Sequence, residues 1–470
     1  MSYILARLQP SECPTPSTKA SSVTKSPPFT YHARSLIVSS LVAMAIGLWV
    51  VWGGLPDITD SHGYLCQAQN LLNLGSRYAD TWNVPYRAES LALRPPLYAA
   101  LVAAGWAVAG TPAAIVPLQL GLAVWNLAAV HRLLALCNIP LRCPWLIALA
   151  ACLSPGHWIY AGTLMTETIS ESLMTGTILA MVTYWRSRRV SWLVGACLLY
   201  AAGILVKPVL MPAWPLVAIG GVVACLRGRL AWQGMLATCL PGVVVLLVCM
   251  ANARQTGAFE YTSVPSGNLL AWNARFTLMD RLSQAEAERI VFAREARIIQ
   301  EPDLATREAM RRREGLSIVL GDLPATIRAH GAGMIKFIIE PGRLDVDRLM
   351  SRADAEHNFA MLHVLRHEGI AAVWRRMAPL GSWATLYLMM ATVMNVAAAI
   401  AMGRLAFDQR IDAGPRWLIL GTITYLAVLV GSLGCARYRV PVQPLFWFAL
   451  AVATTSGSPR ESRSDPSGTF

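Results

Sequence analysis

Arg94-Pro-Pro-Leu-Tyr-Ala-Ala-Leu-Val-Ala-Ala-Gly-Trp-Ala-Val-Ala-Gly110 opens a run of 37 residues without a formal charge, closed only by Arg132. A bilayer-crossing helix needs about 20 mostly apolar residues, so this run exceeds one span. Similar runs lie near 35–53, 143–166, 168–185, 190–206, 208–226, 230–252, 380–403, 417–434 and 438–456. The 470 residues are 55% hydrophobic and only 14% charged, against about 25% charged in a soluble domain. That composition excludes a soluble enzyme with a single core, a disordered chain and a coiled coil. Continuous rather than alternating apolar runs exclude a β-barrel. The expected fold is an all-α polytopic membrane protein with about 10–11 transmembrane helices.

Short loops rich in Arg mark the cytoplasmic side: Arg132 with Arg142, Arg186 to Arg189, Arg227 with Arg229, and Arg404, Arg410 and Arg416. A basic, Ser/Thr/Pro-rich tail over 1–34 is expected to be disordered and cytoplasmic, as is disorder over 457–470. The first apolar run reads as a retained helix, not a cleaved signal peptide. A transmembrane module is then expected over 35–252, with a first outer loop at 54–94, and further transmembrane helices over 381–456. Residues 253–380 form an outer-face insert of amphipathic helices. Parity of crossings makes 95–110 a short, tilted or re-entrant segment.

Of the 27 acidic residues, 16 fall between Arg254 and Arg376. Of the other 11, five belong to tails or a cytoplasmic loop, and six sit on the outer face: Asp57, Asp60, Asp80, Glu89, Glu167 and Glu171. A carboxylate at a membrane helix costs about 2.5–3.5 kcal/mol on insertion scales, so each one there requires a reason. Glu167 and Glu171 share a helix face at a spacing of four. The bland reading is helix-start acids favoured by the macrodipole, and for Asp60 an N-cap. Cations stand beside prolines on the same side: Arg94 before Pro95, Lys207 before Pro208, and Arg437-Tyr438-Arg439 before Pro441. Snorkelling explains any one of them; several beside carboxylates fit phosphate binding better. A polyprenyl-phosphate sugar suits such a surface, because one carboxylate can deprotonate an attacking hydroxyl while Arg and Lys stabilise the departing phosphate. The net charge of +13 reads as topology and contact with anionic membrane lipids, not nucleic acid.

The pattern Asp60-Ser61-x-x-Tyr64, Ala68, Asn70-Leu71-Leu72-x-x-Gly75 and Arg94-Pro95-Pro96-Leu97-Tyr98 resembles the first outer loop of GT-C glycosyltransferases. The branch it is most similar to contains protein O-mannosyltransferases and the lipid A aminoarabinose transferase. Ser154-Pro155 with Thr166-Glu167, Leu205-Val206-Lys207-Pro208, and Arg437-Tyr438-x-x-Pro441-x-x-Pro444 extend the likeness. The resemblance implies a GT-C-like fold in a bacterial inner membrane, with the site facing the periplasm. It implies inverting transfer of a hexosyl or pentosyl group from a polyprenyl-phosphate donor to an envelope acceptor. Asp60 would be the general base, with Asp57 as substitute, and Glu167, the second acidic position of the catalytic set, would orient the acceptor or donor sugar. Arg94, Lys207, Arg437 and Tyr438 would face the donor phosphate, with His62, Tyr64 and Glu171 positioning substrate. Asp57 and Asp60 lie too far apart in sequence for a tight acidic pair, so ligand spacing does not support a divalent metal; no other cofactor is implied. The rival readings are a secondary transporter or flippase, which would place charges near the midplane on repeated broken helices, and a non-catalytic binder of lipid-linked sugars. Asp60, Glu167, Lys207 and Arg437 are expected to converge on one outward cavity.

Overall fold

A computed structural model describes residues 37–45, 59–81, 88–140, 143–349, 365, 369–377 and 381–455. Asp57 and both tails lie outside them. All regular structure among the described residues is helical. Five helices there are long and apolar enough to cross a bilayer: Pro112–Leu136, Pro208–Leu226, Trp232–Thr256, Ser382–Phe407 and Ala413–Leu433. The chain is a multi-pass membrane protein.

Several other apolar runs are cut by proline and glycine. Pro96 starts a helix at its first position, where the missing N–H costs nothing, and Gly110 ends it in the left-handed region at φ 71. The Thr111 hydroxyl then accepts from the Ala113 N–H and restarts the chain toward Ile115–Leu136. Pro96–Ala109 rises only about 21 Å, against about 30 Å of hydrocarbon. The run at 143–166, expected as one span, is two short helices, Pro144–Cys152 and Pro155–Ala161. Pro155 has no N–H to continue the first helix.

The run at 438–456 also departs from a simple span. Its helix is Gln443–Ala453, and every residue from Gln443 to Val452 is buried. A helix apolar on all sides belongs inside protein, and this one packs against Ser382–Phe407, Ile115–Leu136 and Pro144–Cys152 within the main core. Pro441 and Pro444 shorten it and force the irregular turn before it.

In the 253–380 region, Gln284–Ile298 and Leu304–Gly321 are capped by Ser283 and Asp303, whose side chains accept from the Glu286 and Thr306 N–H groups. They share a small core of Leu270, Val291, Ile298 and Ile318, flanked by ion pairs of Arg294 with Glu314 and Arg311 with Glu295. Arg307 pairs with Glu89 and ties these helices to the first loop. Leu323–Ile339 does not stay on a surface: its Phe337 is fully buried in the main core.

Candidate active site

Two X-Pro steps set up the site. Proline restricts the residue before it to extended backbone, and Lys207 accordingly sits at φ −138, ψ 114 between Val190–Val206 and the turn at Pro208. Pro95, before Pro96, is likewise extended at φ −60, ψ 148 and follows Arg94 into the membrane helix. Asp60 occupies the first turn of Thr59–Leu74, and Glu167 the first turn of Glu167–Ser187. Both acids are favoured there by the positive end of the helix. Arg437 comes from the single turn Ala436–Arg439.

These five side chains form one chain of alternating charge. Arg94 Nη2 donates to Asp60 Oδ1 at 2.7 Å, and Arg437 Nη2 meets Asp60 Oδ2 at 2.5 Å. The other edge of the same guanidinium, Nε, donates to Glu167 Oε1 at 2.7 Å, and Lys207 Nζ donates to that oxygen at 3.0 Å. Glu167 is fully buried and Lys207 nearly so, while Asp60 keeps 28% of its side chain accessible. Three cations face two carboxylates, so the cluster carries a formal excess of one positive charge. An uncompensated charge at a buried site is costly, and an incoming anion would relieve it.

Aromatic faces line the cations. Arg94 lies 4.8 Å from the Tyr64 ring, Lys207 5.9 Å from Tyr438 and Arg437 6.0 Å from Tyr160, within cation–π range. Tyr64 meets Tyr98 edge to face at 4.9 Å, and the Tyr98 hydroxyl donates to Gln119 Oε1 at 2.9 Å. Burial pushes the Asp60 carboxyl upward, but the guanidinium groups of Arg437 and Arg94 outweigh it and hold the group well below the usual carboxylate range. Asp60 is therefore ionised at neutral pH.

Beside this chain lies a cavity of about 270 Å³. Its polar lining includes Arg94, Lys207, Tyr64, Tyr438 and Thr166, and its apolar lining includes Val209, Met211, Leu429, Val430 and Leu433. Such a space can take a molecule that is anionic at one end and greasy along its length.

The structure thus gathers Asp60, Glu167, Arg94, Lys207, Arg437, Tyr438 and Tyr64. It does not gather His62 or Glu171. His62 is exposed one turn from Cys66, 3.4 Å from its Sγ. Glu171 turns away from Glu167 and bonds His157 Nδ1 at 2.9 Å, both side chains fully buried. Among the described residues no three His, Cys, Asp or Glu side chains group as a metal site would require.

Sequence reasoning missed two neighbours. Tyr160 lies near Arg437 and donates its hydroxyl to Asp345. Gln119, which accepts from Tyr98, donates to the Thr163 carbonyl at 2.7 Å. Arg439, two residues after Arg437 and grouped with it in the sequence reading, instead caps the Leu323–Ile339 helix, donating to the Phe337, Ile338 and Glu340 carbonyls at 3.0, 2.8 and 2.9 Å. Glu340 Oε2 accepts the Ala436 N–H at 2.7 Å, so the turn carrying Arg437 is held from both sides. Arg439→Leu would strand the Phe337 and Ile338 carbonyls at about 1–3 kcal/mol each, while the Glu340 carbonyl keeps the Asn395 amide donor at 3.1 Å. The expected result is a fall of about 2 kcal/mol or more in unfolding free energy, read by thermal denaturation of the purified protein.

No protein-family model matches the chain, and no curated protein sequence does. Solved structures do. The archaeal oligosaccharyltransferase AglB from Archaeoglobus fulgidus, in complex with an inhibitory peptide and a dolichol-phosphate, matches at 13% identity and TM-score 0.43, over 90% of this chain and 50% of that one. ArnT from Cupriavidus metallidurans bound to undecaprenyl phosphate matches at 13% identity and TM-score 0.36, over 90% and 77%. Its apo form matches at 14% and 0.34, over 90% and 76%. The chain spans about half the length of the oligosaccharyltransferase.

Proposed function

We infer that the protein is an integral-membrane glycosyltransferase that moves a sugar from a polyprenyl-phosphate donor to an envelope acceptor, with inversion, on the periplasmic face of a bacterial inner membrane. The observation that carries this reading is the cation-rich chain of ion pairs beside an amphipathic cavity. A lipid phosphate matches both parts of that lining, the phosphate against Arg94, Lys207 and Arg437 and the prenyl tail along the apolar residues.

The chemistry follows from the residues. The acceptor hydroxyl oxygen attacks the anomeric carbon of the donor sugar from the side opposite the phosphate. A bond from that oxygen to the carbon forms as the carbon–phosphate oxygen bond breaks, which inverts the centre. The hydroxyl proton passes to Asp60. The bonding electrons leave with the lipid phosphate, whose growing charge Arg94, Arg437 and Lys207 stabilise by charge-assisted hydrogen bonds. Before the donor arrives, Asp60 is masked by two guanidinium groups; phosphate competes for them and releases the carboxylate to act as base. Glu167 holds Lys207 and Arg437 in register and does not touch the acceptor.

The reading is tested with purified protein, undecaprenyl-phosphate hexoses and a cell-envelope extract as acceptor. Transfer of label to an envelope component is expected, and its absence across a panel of neutral hexosyl and pentosyl donors would sink it. Lys207→Ala is expected to weaken undecaprenyl phosphate binding about 10- to 100-fold, the worth of one hydrogen bond to a charged group. Direct titration of the variant against the lipid phosphate checks this.

A further inference from the structure

Part of the cavity lining, Val264, Pro265, Asn268 and Asn273, comes from a segment with an unusual backbone. Val264–Asn268 runs as an α-helix into a π-turn over Leu269–Ala274, then returns to α-helix at Arg275. On a regular α-helix, side chains five residues apart point about 140° away from each other. In a π-turn, bonded i→i+5, they come to the same side. Asn268 and Asn273 are five apart, and both line the cavity. Asn273 Oδ1 accepts from Ser432 Oγ at 2.5 Å, which fixes that amide and leaves its N–H₂ to donate.

The full lining has a second property. It contains the cations Arg94 and Lys207, the neutral groups Thr166, Asn268, Asn273, Tyr64 and Tyr438, and no carboxylate. With the cations committed to a phosphate, the remaining polar groups are carboxamides and hydroxyls, which both donate and accept and so match sugar hydroxyls. A cationic amino sugar would find no carboxylate among these lining residues, away from the Asp60 position at the reacting carbon.

We propose that Asn268 and Asn273, brought to one face by the π-turn, read the donor sugar, and that this sugar is neutral and hydroxylated. The assignment rests on the cavity being the donor site. Its strongest sign is a pairing that the π-turn makes: two carboxamides lining the cavity that Arg94 and Lys207 also line.

The test is a binding titration of the full-length protein in nanodiscs. The probes are undecaprenyl phosphate alone, undecaprenyl phosphate carrying glucose, mannose or arabinose, and the same lipid carrying 4-amino-4-deoxyarabinose. At least one neutral sugar is expected to tighten binding about five- to tenfold over the bare lipid phosphate, as one or two neutral hydrogen bonds would. Asn268→Ala and Asn273→Ala are each expected to remove most of that gain while leaving bare-lipid affinity within twofold. Asn268→Asp is expected to favour the amino-sugar lipid, a gain that misfolding cannot mimic. The proposal is overturned if no neutral sugar adds affinity, if the alanine variants weaken bare and glycosylated lipid equally, or if the wild type binds the amino-sugar lipid as tightly as the best neutral one. Failure of the wild type to bind bare undecaprenyl phosphate would instead overturn the donor-site reading, and this inference with it.

Discussion

Asp60→Asn is expected to lower kcat by about 10²–10⁴-fold, the usual range for a lost general base, while the protein still folds and inserts. Asn keeps the shape and can still accept from Arg94, but it cannot take a proton. The substitution also removes one of two carboxylates facing three cations, raising the local excess from one positive charge to two. Donor KM should therefore stay level or fall, and the loss should appear in kcat alone. That split separates a base from a residue that merely holds the phosphate site together, whose removal would raise KM. The pH profile adds a second reading. Because Arg437 and Arg94 hold the Asp60 carboxyl below its ordinary range, the base is already deprotonated in the donor-free protein. A group with a depressed pKa loses its ionised form only as pH falls through that lowered value. The profile of kcat/KM should accordingly show no acid limb from Asp60 above about pH 5, where even an unperturbed Asp is ionised. Steady-state kinetics of both proteins with one undecaprenyl-phosphate hexose measures all of this.

Arg437→Lys carries the second large effect. One guanidinium uses two separate edges, Nη2 toward Asp60 at 2.5 Å and Nε toward Glu167 at 2.7 Å. An ammonium is a point charge without that fork, so Lys at this position can serve one carboxylate but not both. The charge count is unchanged, and a purely electrostatic role would predict little loss. The bridging role predicts that kcat/KM falls about 10- to 100-fold, since two charge-assisted hydrogen bonds are worth about 1.5–3 kcal/mol each and only one survives. Arg439→Lys offers the contrast: its loss should fall on stability, because Arg439 meets helix-end carbonyls and Gln443 and not the carboxylates.

The two arginines show how far the sequence could be read. Both lie two residues apart in the same proline-flanked motif, and both are cations at a membrane helix entry. Nothing in composition or spacing separates them, because the difference lies in what a distant helix end, Phe337 to Glu340, presents to Arg439. Asp60, Glu167, Arg94, Lys207 and Arg437 were legible because charge is expensive in a membrane, so every charge there needs a reason that neighbours in space can supply. Glu171 obeyed the same rule for a different reason, since its partner His157 lies on a short helix that the sequence hid inside one apolar run. The prolines at 144, 155, 441 and 444 were visible, but their effect in dividing spans was not weighed against the apolar length around them. Asn268 and Asn273 left no trace at all. They are neutral, and the π-turn that aligns them has no hydrophobic period to announce it.

The account turns on Arg94, Lys207 and Arg437 being the seat of the donor phosphate. A cryo-electron microscopy structure of the full chain in nanodiscs with undecaprenyl phosphate tests this most directly. The phosphate is expected within hydrogen-bond distance, about 2.7–3.2 Å, of all three cations, with the Asp60 carboxylate released from at least one guanidinium and open to the cavity. Phosphate bound elsewhere, with the Asp60 pairs to Arg94 and Arg437 both intact, would contradict it.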